Sequence, residues 1–273
     1  MNTVSSSAYI MDDPREAMRL ELKVDPDVWV RKYLASRLKP GAEILSVGCG
    51  PGMILRKLCA IDPSIRATGI DISSERIRDA AQKSTLNTRL SFVRGDAHAL
   101  QFPSDSFDLV YARMLFEYLQ DKERAAAEMA RVCRPGGMVL FQDLDGQLLW
   151  NYPEDPVVQR AVEKVITGLA KTGFDPFVGR KLFSLAQNAG LKNLEVQVEC
   201  YHLIVGEIDP TILTQWELKL EIALPKIAEI LGGERAAREQ GQRFLEYLRR
   251  PDTLTYSNVF TVTGLKPLYG KAR

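Results

Sequence analysis

The feature that most limits what this chain can become is the run ILSVGCGPG, Ile44 to Gly52. An apolar strand enters, Gly48, Gly50 and Gly52 follow at alternate positions, and a helical pattern through Leu55, Leu58 and Ile61 begins straight after. Glycine has no side chain, so the backbone can turn tightly and a ligand can lie against it. The first amides of a helix have no partner within the helix, so they can point at whatever sits there.

The strand, turn, helix rhythm then repeats. Strands are expected at Ile44–Val47, Ile65–Ile70, Leu90–Val93, Phe107–Ala112 and Met138–Gln142. They are short and apolar without strict alternation, as in a parallel sheet with helices on both faces. Ser73 or Ser74 can cap the second helix and Asp121 an Ala-rich helix ending at Val132, closed by Pro135–Gly136–Gly137. Alternating strands and helices imply right-handed β-α-β units, hence an α/β fold with a doubly wound, mostly parallel sheet.

Both flanks depart from the rhythm. Residues 1–40 read as a helical cap, with one helix started by Pro14 and a second capped by Asp27 and ended by Pro40–Gly41. Residues 41–150 form the repeating core of this single domain. In residues 151–273, helices are expected over Pro153–Lys171 and Gly179–Ala189, and strands over Leu194–Val205 and Ser257–Leu265. Between those strands lies a helical stretch of about 209–250, broken near Gly232–Gly233 and too long for a simple connection. Its apolar positions, among them Ile212, Leu213, Trp216 and Leu220, either cover a pocket as a lid or pack on the sheet.

Two carboxylates sharpen the glycine turn. A dinucleotide fingerprint needs its third glycine one position later, where Met53 stands. Asp71, closing GIDIS, comes about twenty residues after the glycines, where an acidic side chain meets both hydroxyls of a ribose. Asp96, in RGDAHAL after the third strand, can accept from an adenine amino group with the Ala97 amide beside it. Plain loop capping is the competing reading of both.

Charge removes some function classes. The chain carries 36 basic and 35 acidic residues and no basic run longer than a pair such as Arg249–Arg250, which argues against nucleic acid as main partner. Cys49, Cys59, Cys133 and Cys200 form no C-x-x-C pair and fit reduced thiols in a cytoplasmic protein. No signal-peptide pattern and no apolar run of bilayer length is present, so no membrane partner is expected, and no His/Cys/carboxylate cluster has metal-ligand spacing.

With VGCGPG, GIDIS, GDAHALQFPSDSFDLV and RVCRPGGMVL in this order over about Pro40 to Asp143, the chain resembles the class I S-adenosylmethionine (SAM)-dependent methyltransferases. It is most similar to the ubiquinone/menaquinone-type and natural-product branch. The resemblance implies a Rossmann-like sheet of seven strands, six parallel and the last antiparallel, with SAM as cofactor. Gly48, Gly50 and Gly52 would lie under its methionine part and Asp71 would bind the ribose, with Cys49, Ile72 and Arg76 as further cofactor-binding residues. Asp96 and Ala97 would hold adenine, and Arg113 would border the sulfonium.

Methyl transfer from a sulfonium is an in-line displacement that gains most from alignment, and a general base is needed only for a poorly ionised acceptor. Asp143, then Asp145, at the end of the fifth strand are the first candidates for such a base, a solvated turn before the next helix being the competing reading of Asp143. His202 is a further candidate or a structural histidine, and His98 would line the cofactor loop. Tyr9, Arg19, Phe116, Tyr118, Trp150 and Trp216 are candidate pocket walls. An aromatic, apolar lid suits a small apolar or aromatic acceptor, methylated on oxygen, nitrogen or carbon in the biosynthesis of a cofactor or natural product. The alternatives are a non-catalytic SAM-binding protein and a nicotinamide-dependent oxidoreductase. Oligomeric state stays open, a homodimer included.

Overall fold

β1 (Glu43–Val47) is buried from Ile44 to Val47 because it occupies the middle of a sheet covered on both sides. In the computed structural model, Asp13, Arg15, Arg19 and residues 24–268 are described, except for the side chains of Gln147 and Leu148. The other strands are β2 (Arg66–Asp71), β3 (Leu90–Arg94), β4 (Phe107–Arg113), β5 (Cys133–Tyr152), β6 (Lys192–Val205) and β7 (Leu254–Leu265). They form one seven-stranded sheet in the order β3-β2-β1-β4-β5-β7-β6. Only β7 runs antiparallel to its neighbours, β5 and β6.

The chain leaves β1 toward β2 and β3 and returns to its other side as β4 and β5. A crevice therefore opens beyond the carboxyl ends of β1 and β4, where open α/β sheets bind ligands. One face of the sheet is covered by α1 (Pro26–Tyr33) and α2 (Met53–Ile61), whose Trp29, Val30, Leu55 and Leu58 pack with Ile44, Leu109 and Leu140. The other carries α4 (Lys122–Val132) and α6 (Leu182–Asn188), packed on Leu45, Val110, Val139 and Phe141. α3 (Ser74–Gln82) lies alongside β2 and β3.

Local chemistry sets the helix ends. The Asp121 carboxylate accepts from the Arg124 amide, as its position predicts, and Ser73 accepts from the Arg76 amide. The cap of α1 is two residues earlier than expected. Asp25, not Asp27, accepts from the amides of Asp27 (2.8 Å) and Val28 (3.1 Å), because Pro26 has no N–H and suits the first helical position. Asp27 instead pairs with Arg31 and Lys57. The helix expected from Pro14 lies largely outside the described residues.

β5 is the largest departure from the sequence expectation. It starts before the Pro135–Gly137 turn, which bulges out between the Phe107–Cys133 and Leu109–Met138 pairs. It also runs past Gln142 to Tyr152, with a second irregularity between Asp145 and Trp150 before it pairs again with Leu254–Tyr256. A buried hydrogen-bond chain ties α1 to this part of the sheet. Trp29 Nε1 donates to Gln142 Oε1 (2.7 Å), and Gln142 Nε2 donates to Thr261 Oγ1 (2.7 Å).

The stretch from α5 (Pro156–Ala170) through α7 (Pro210–Leu231) and α8 (Glu234–Leu248) builds a separate small core of Val158, Ile204, Ile208, Trp216, Phe244, Tyr247 and Leu248. α7 stops at Gly232, whose φ of 92° is the left-handed region. Among the described residues no helix is long and apolar enough to cross a membrane.

Gly52 is the glycine the fold most requires. Its φ is +76°, and a Cβ there would stand 2.5 Å from Phe92 Cε1. Gly52→Ala should lower stability by about 2 kcal/mol or more, from left-handed strain of about 1–2 kcal/mol plus displacement of a packed ring. Thermal unfolding reads this directly, and an unchanged midpoint would contradict the packing described.

Candidate active site

The turn after β1 is held by its own backbone. Gly48 and Cys49 both donate their amides to the carbonyl of Ile70 (2.8 and 3.0 Å), and Gly50 donates to Asp71 Oδ2 (2.9 Å). The Gly52 amide goes to the Cys49 carbonyl (3.1 Å). The first helical amides, which the sequence suggested could meet a ligand, belong to α2 from Met53 on, and Met53 and Ile54 line the cleft. The four amides above belong to the turn itself and are already used, so the turn offers a side-chain-free surface.

Beyond it lies a cleft of about 560 Å³, within the range of cofactor sites. Its floor is Gly48–Pro51, and one side is Asp71–Arg76. Gly95–His98 follow β3, and Arg113 at the end of β4 is joined by Met114, Leu115 and Tyr118–Gln120 after it. Thus Gly48, Cys49, Gly50, Asp71, Ile72, Arg76, Asp96, Ala97 and Arg113 come together from four separate stretches of sequence. Gly52 does not line the cleft; its bare α-carbon faces Phe92 and Ala80.

Asp71 is buried and over-determined. Besides Gly50, its Oδ1 accepts from the Ser73 amide (3.0 Å) and lies 3.4 Å from Arg76 Nη1. Asp96 Oδ1 accepts from the His98 amide (2.9 Å) and meets His98 Nδ1 at 2.7 Å. Two buried polar atoms of the lining, His98 Nε2 and Arg113 Nε, lack a hydrogen-bond partner among the described residues. Orphaned polar atoms cost about 1–3 kcal/mol each, so their presence here fits a cleft that receives a polar guest.

The remaining candidates divide clearly. Asp143 is fully buried, outside the cleft, and accepts from the amides of Glu117 (3.2 Å) and Leu144 (2.8 Å). Neither a base nor a solvated turn describes it: it is an internal clamp. Asp145 is equally buried, accepts from the Arg180 amide (2.9 Å) and forms a bidentate pair with the Arg180 guanidinium. His202 sits at the β6 irregularity with φ +52°, its Nδ1 3.3 Å from Ser257 Oγ and its ring against Tyr201 and Trp216, away from the cleft lining.

Among the wall candidates, Phe116 is a core residue whose ring lies 4.7 Å from that of Phe141, tilted by 60°. Trp150 is 38% exposed beyond the β5 irregularity and lines no cavity described here. Arg19 is buried elsewhere, and Tyr9 lies outside the described residues. Tyr118 lines the cleft, and it also borders an apolar cavity beneath α5, α7 and α8 to which Trp216 belongs.

Sequence reasoning missed Ser46, Tyr111 and Tyr201. A hydroxyl inside the apolar run ILSV was a signal for Ser46, which hydrogen-bonds the Tyr111 phenol in the cleft wall. Burial pushes that phenol's pKa up, so it stays protonated. Tyr201 Oη lies 3.4 Å from Arg113 Nη2, a pairing created by the folding of β6 that no local pattern announces. Among the described residues no group of His, Cys, Asp and Glu could hold a metal ion.

The thiols follow the same burial logic. Burial pushes Cys49 well above the usual thiol range, helped by the Asp71 charge, raises Cys59, and takes Cys133 up to about 12. Since the thiolate reacts and the thiol does not, native protein at pH 8 should take iodoacetamide at exposed Cys200 and leave these three unmodified. Peptide mass spectrometry checks this, and labelling of Cys49 at the rate of Cys200 would contradict the packed turn.

Residues 45–141 match the family model described as a methyltransferase domain. A 2-methyl-6-phytyl-1,4-hydroquinone methyltransferase of Synechocystis is 35% identical over 131 residues, 46% of this chain and 41% of that protein. The chain spans less than two thirds of the length of the curated relatives it first matches. Among solved structures, a Haemonchus contortus phosphoethanolamine N-methyltransferase 2 bound to S-adenosyl-L-methionine superposes with a TM-score of 0.61 at 15% identity, over 96% of this chain and 61% of that one. The 4+2 cyclase SpnF superposes with a TM-score of 0.55 at 20% identity, over 89% of this chain and 80% of that one.

Proposed function

We propose that this chain, whose residues 45–141 match a methyltransferase domain, acts as a class I methyltransferase that binds SAM in the cleft beyond β1 and β4 and passes the methyl group to a small apolar or aromatic molecule. One observation carries the reading: the glycine turn, Asp71, Asp96 and Arg113, far apart in sequence, line a single cleft. Because the same fold also serves a cyclase, the fold alone does not decide the chemistry. The match of these motifs in order is what favours methyl transfer.

SAM supplies an electrophilic methyl on a sulfonium. The protein's part is to hold and align. Asp71, already oriented by the amides of Gly50 and Ser73, offers its carboxylate to the ribose hydroxyls. Asp96, held by His98, and Ala97 take the adenine edge, with His98 Nε2 available to a polar neighbour. The bare surface of Gly48 to Gly50 lets the methionine part lie close, and Arg113 Nε faces a polar group at the transfer end.

No base enters this account. Among the described residues, those that the end of β4 and the segment after it give to the cleft are Arg113, Met114, Leu115, Tyr118, Leu119 and Gln120, none a carboxylate or an imidazole. Tyr111 keeps its proton, and Asp143 and His202 stand elsewhere. Among the described residues the cleft's carboxylates and its imidazole, Asp71, Glu75, Asp96 and His98, stand on the side given to the cofactor, so rate in this reading comes from alignment and exclusion of water.

Transfer of labelled methyl from SAM to an apolar small molecule, with none to RNA or protein, is the expected result with purified protein. Labelled RNA or protein with no small-molecule product would overturn the acceptor class. Asp71→Ala should weaken SAM binding about tenfold or more through loss of a charge-assisted hydrogen bond; unchanged affinity in a folded variant would count against the ribose role. Asp143→Asn turns one buried acceptor toward an amide donor, so it should cost about 1–3 kcal/mol of stability while SAM affinity and the pH profile of turnover hold. A displaced pH profile with intact stability would restore Asp143 as a base.

A further inference from the structure

Where α5, α7 and α8 meet, they leave a cavity of about 190 Å³ that the cofactor does not need. Its walls are almost wholly apolar, with Val162, Ile166, Trp216, Leu220, Ile227 and Phe244 among them. The space is partly open to solvent rather than sealed, and an apolar space of about 150 Å³ is enough to take benzene. Two features argue that it is kept open for an occupant.

The first is Gly241, in the interior of α8, where glycine is among the poorest helix formers. Nothing in the packing asks for it: an added Cβ would meet only Leu220 Cδ1, at an ordinary 3.7 Å. Gly168 on α5 is different, since a Cβ there would come within 2.6 Å of Ile230 and the helices need the close approach. The absent side chain at Gly241 therefore adds room to the cavity rather than bringing helices together. The second is Gln240, whose Oε1 is buried in this lining with no hydrogen-bond partner among the described residues. An unpartnered buried acceptor against an apolar space calls for a donor from the guest.

Tyr118 links the two spaces. It lines both the cavity and the cleft, with the Phe174 ring 5.6 Å away on the cavity side. The geometry points to the cavity as the seat of the acceptor's apolar body, one aromatic ring or a short branched aliphatic group bearing a hydroxyl or N–H that donates to Gln240. The methyl-accepting atom then reaches past Tyr118 into the cleft. This rests on the cleft being the SAM site. Gly241 and Gln240 are accordingly the specificity-determining positions, one by volume and one by hydrogen bonding.

The test uses full-length protein saturated with S-adenosylhomocysteine, titrated calorimetrically with 4-propylphenol and with propylbenzene. Wild type should bind both, the phenol more tightly. Gly241→Leu should weaken both about tenfold or more by filling the space, and Gly241→Ala, compatible with the helix, should weaken them less. Gln240→Leu should remove the preference for the phenol and leave propylbenzene within about twofold. S-adenosylhomocysteine affinity should be equal in every variant, because neither residue lines the cleft. Equal probe binding by wild type and Gly241→Leu, or no probe binding by wild type, would overturn the inference. Loss of S-adenosylhomocysteine binding by wild type would instead remove the cofactor reading, while the probes would still report on the cavity.

Discussion

The bond between the Gly50 amide and the Asp71 carboxylate is the point on which the site depends. It fastens the turn after β1 to the end of β2, beside the two amides that Gly48 and Cys49 give to Ile70. The turn is thereby fixed as a bare floor, and Asp71 is fixed as its wall with a buried carboxylate. Two adjacent parallel strands could end anywhere relative to one another. Here their ends are locked together, and the cleft inherits that rigidity.

Elements outward from this point support it in turn. α1 closes over the sheet through Trp29, Gln142 and Thr261, joining β5 and β7 in one satisfied polar chain. The Asp145–Arg180 pair and the Asp143 clamp hold the segments that follow β4 and β5. These buried charges are paired or accept from amides, which is the condition under which burial of a carboxylate is tolerated. The helices α5, α7 and α8 add apolar surface near Tyr118, so a polar cleft and an apolar cavity meet at one aromatic side chain.

What the sequence made legible was local. The glycines sit within five residues of a strand end, Asp71 closes a short strand and Asp96 stands two residues past the end of another, so their placement follows from strand and turn alone. Asp143 shows where such reasoning fails. A carboxylate after the expected fifth strand belongs at the crevice only if the strand stops there. β5 runs on to Tyr152, pairs Asp143 with Phe260, and buries it completely. Phe116 and Tyr118 lie two residues apart in one short turn and face core and cleft respectively, a difference of rotation that aromatic character does not encode. Tyr201 reaches Arg113 only because β6 comes back beside β7, and no local pattern carries that contact.

Calorimetric titration of the purified protein with SAM and S-adenosylhomocysteine, with a nicotinamide dinucleotide as control, tests the central claim most directly. The account predicts saturable one-to-one binding of both SAM forms at micromolar affinity and no heat from the control. Absence of SAM binding by folded protein, or binding of the dinucleotide in its place, would contradict it and remove the roles given to the glycine turn, Asp71 and Asp96 together.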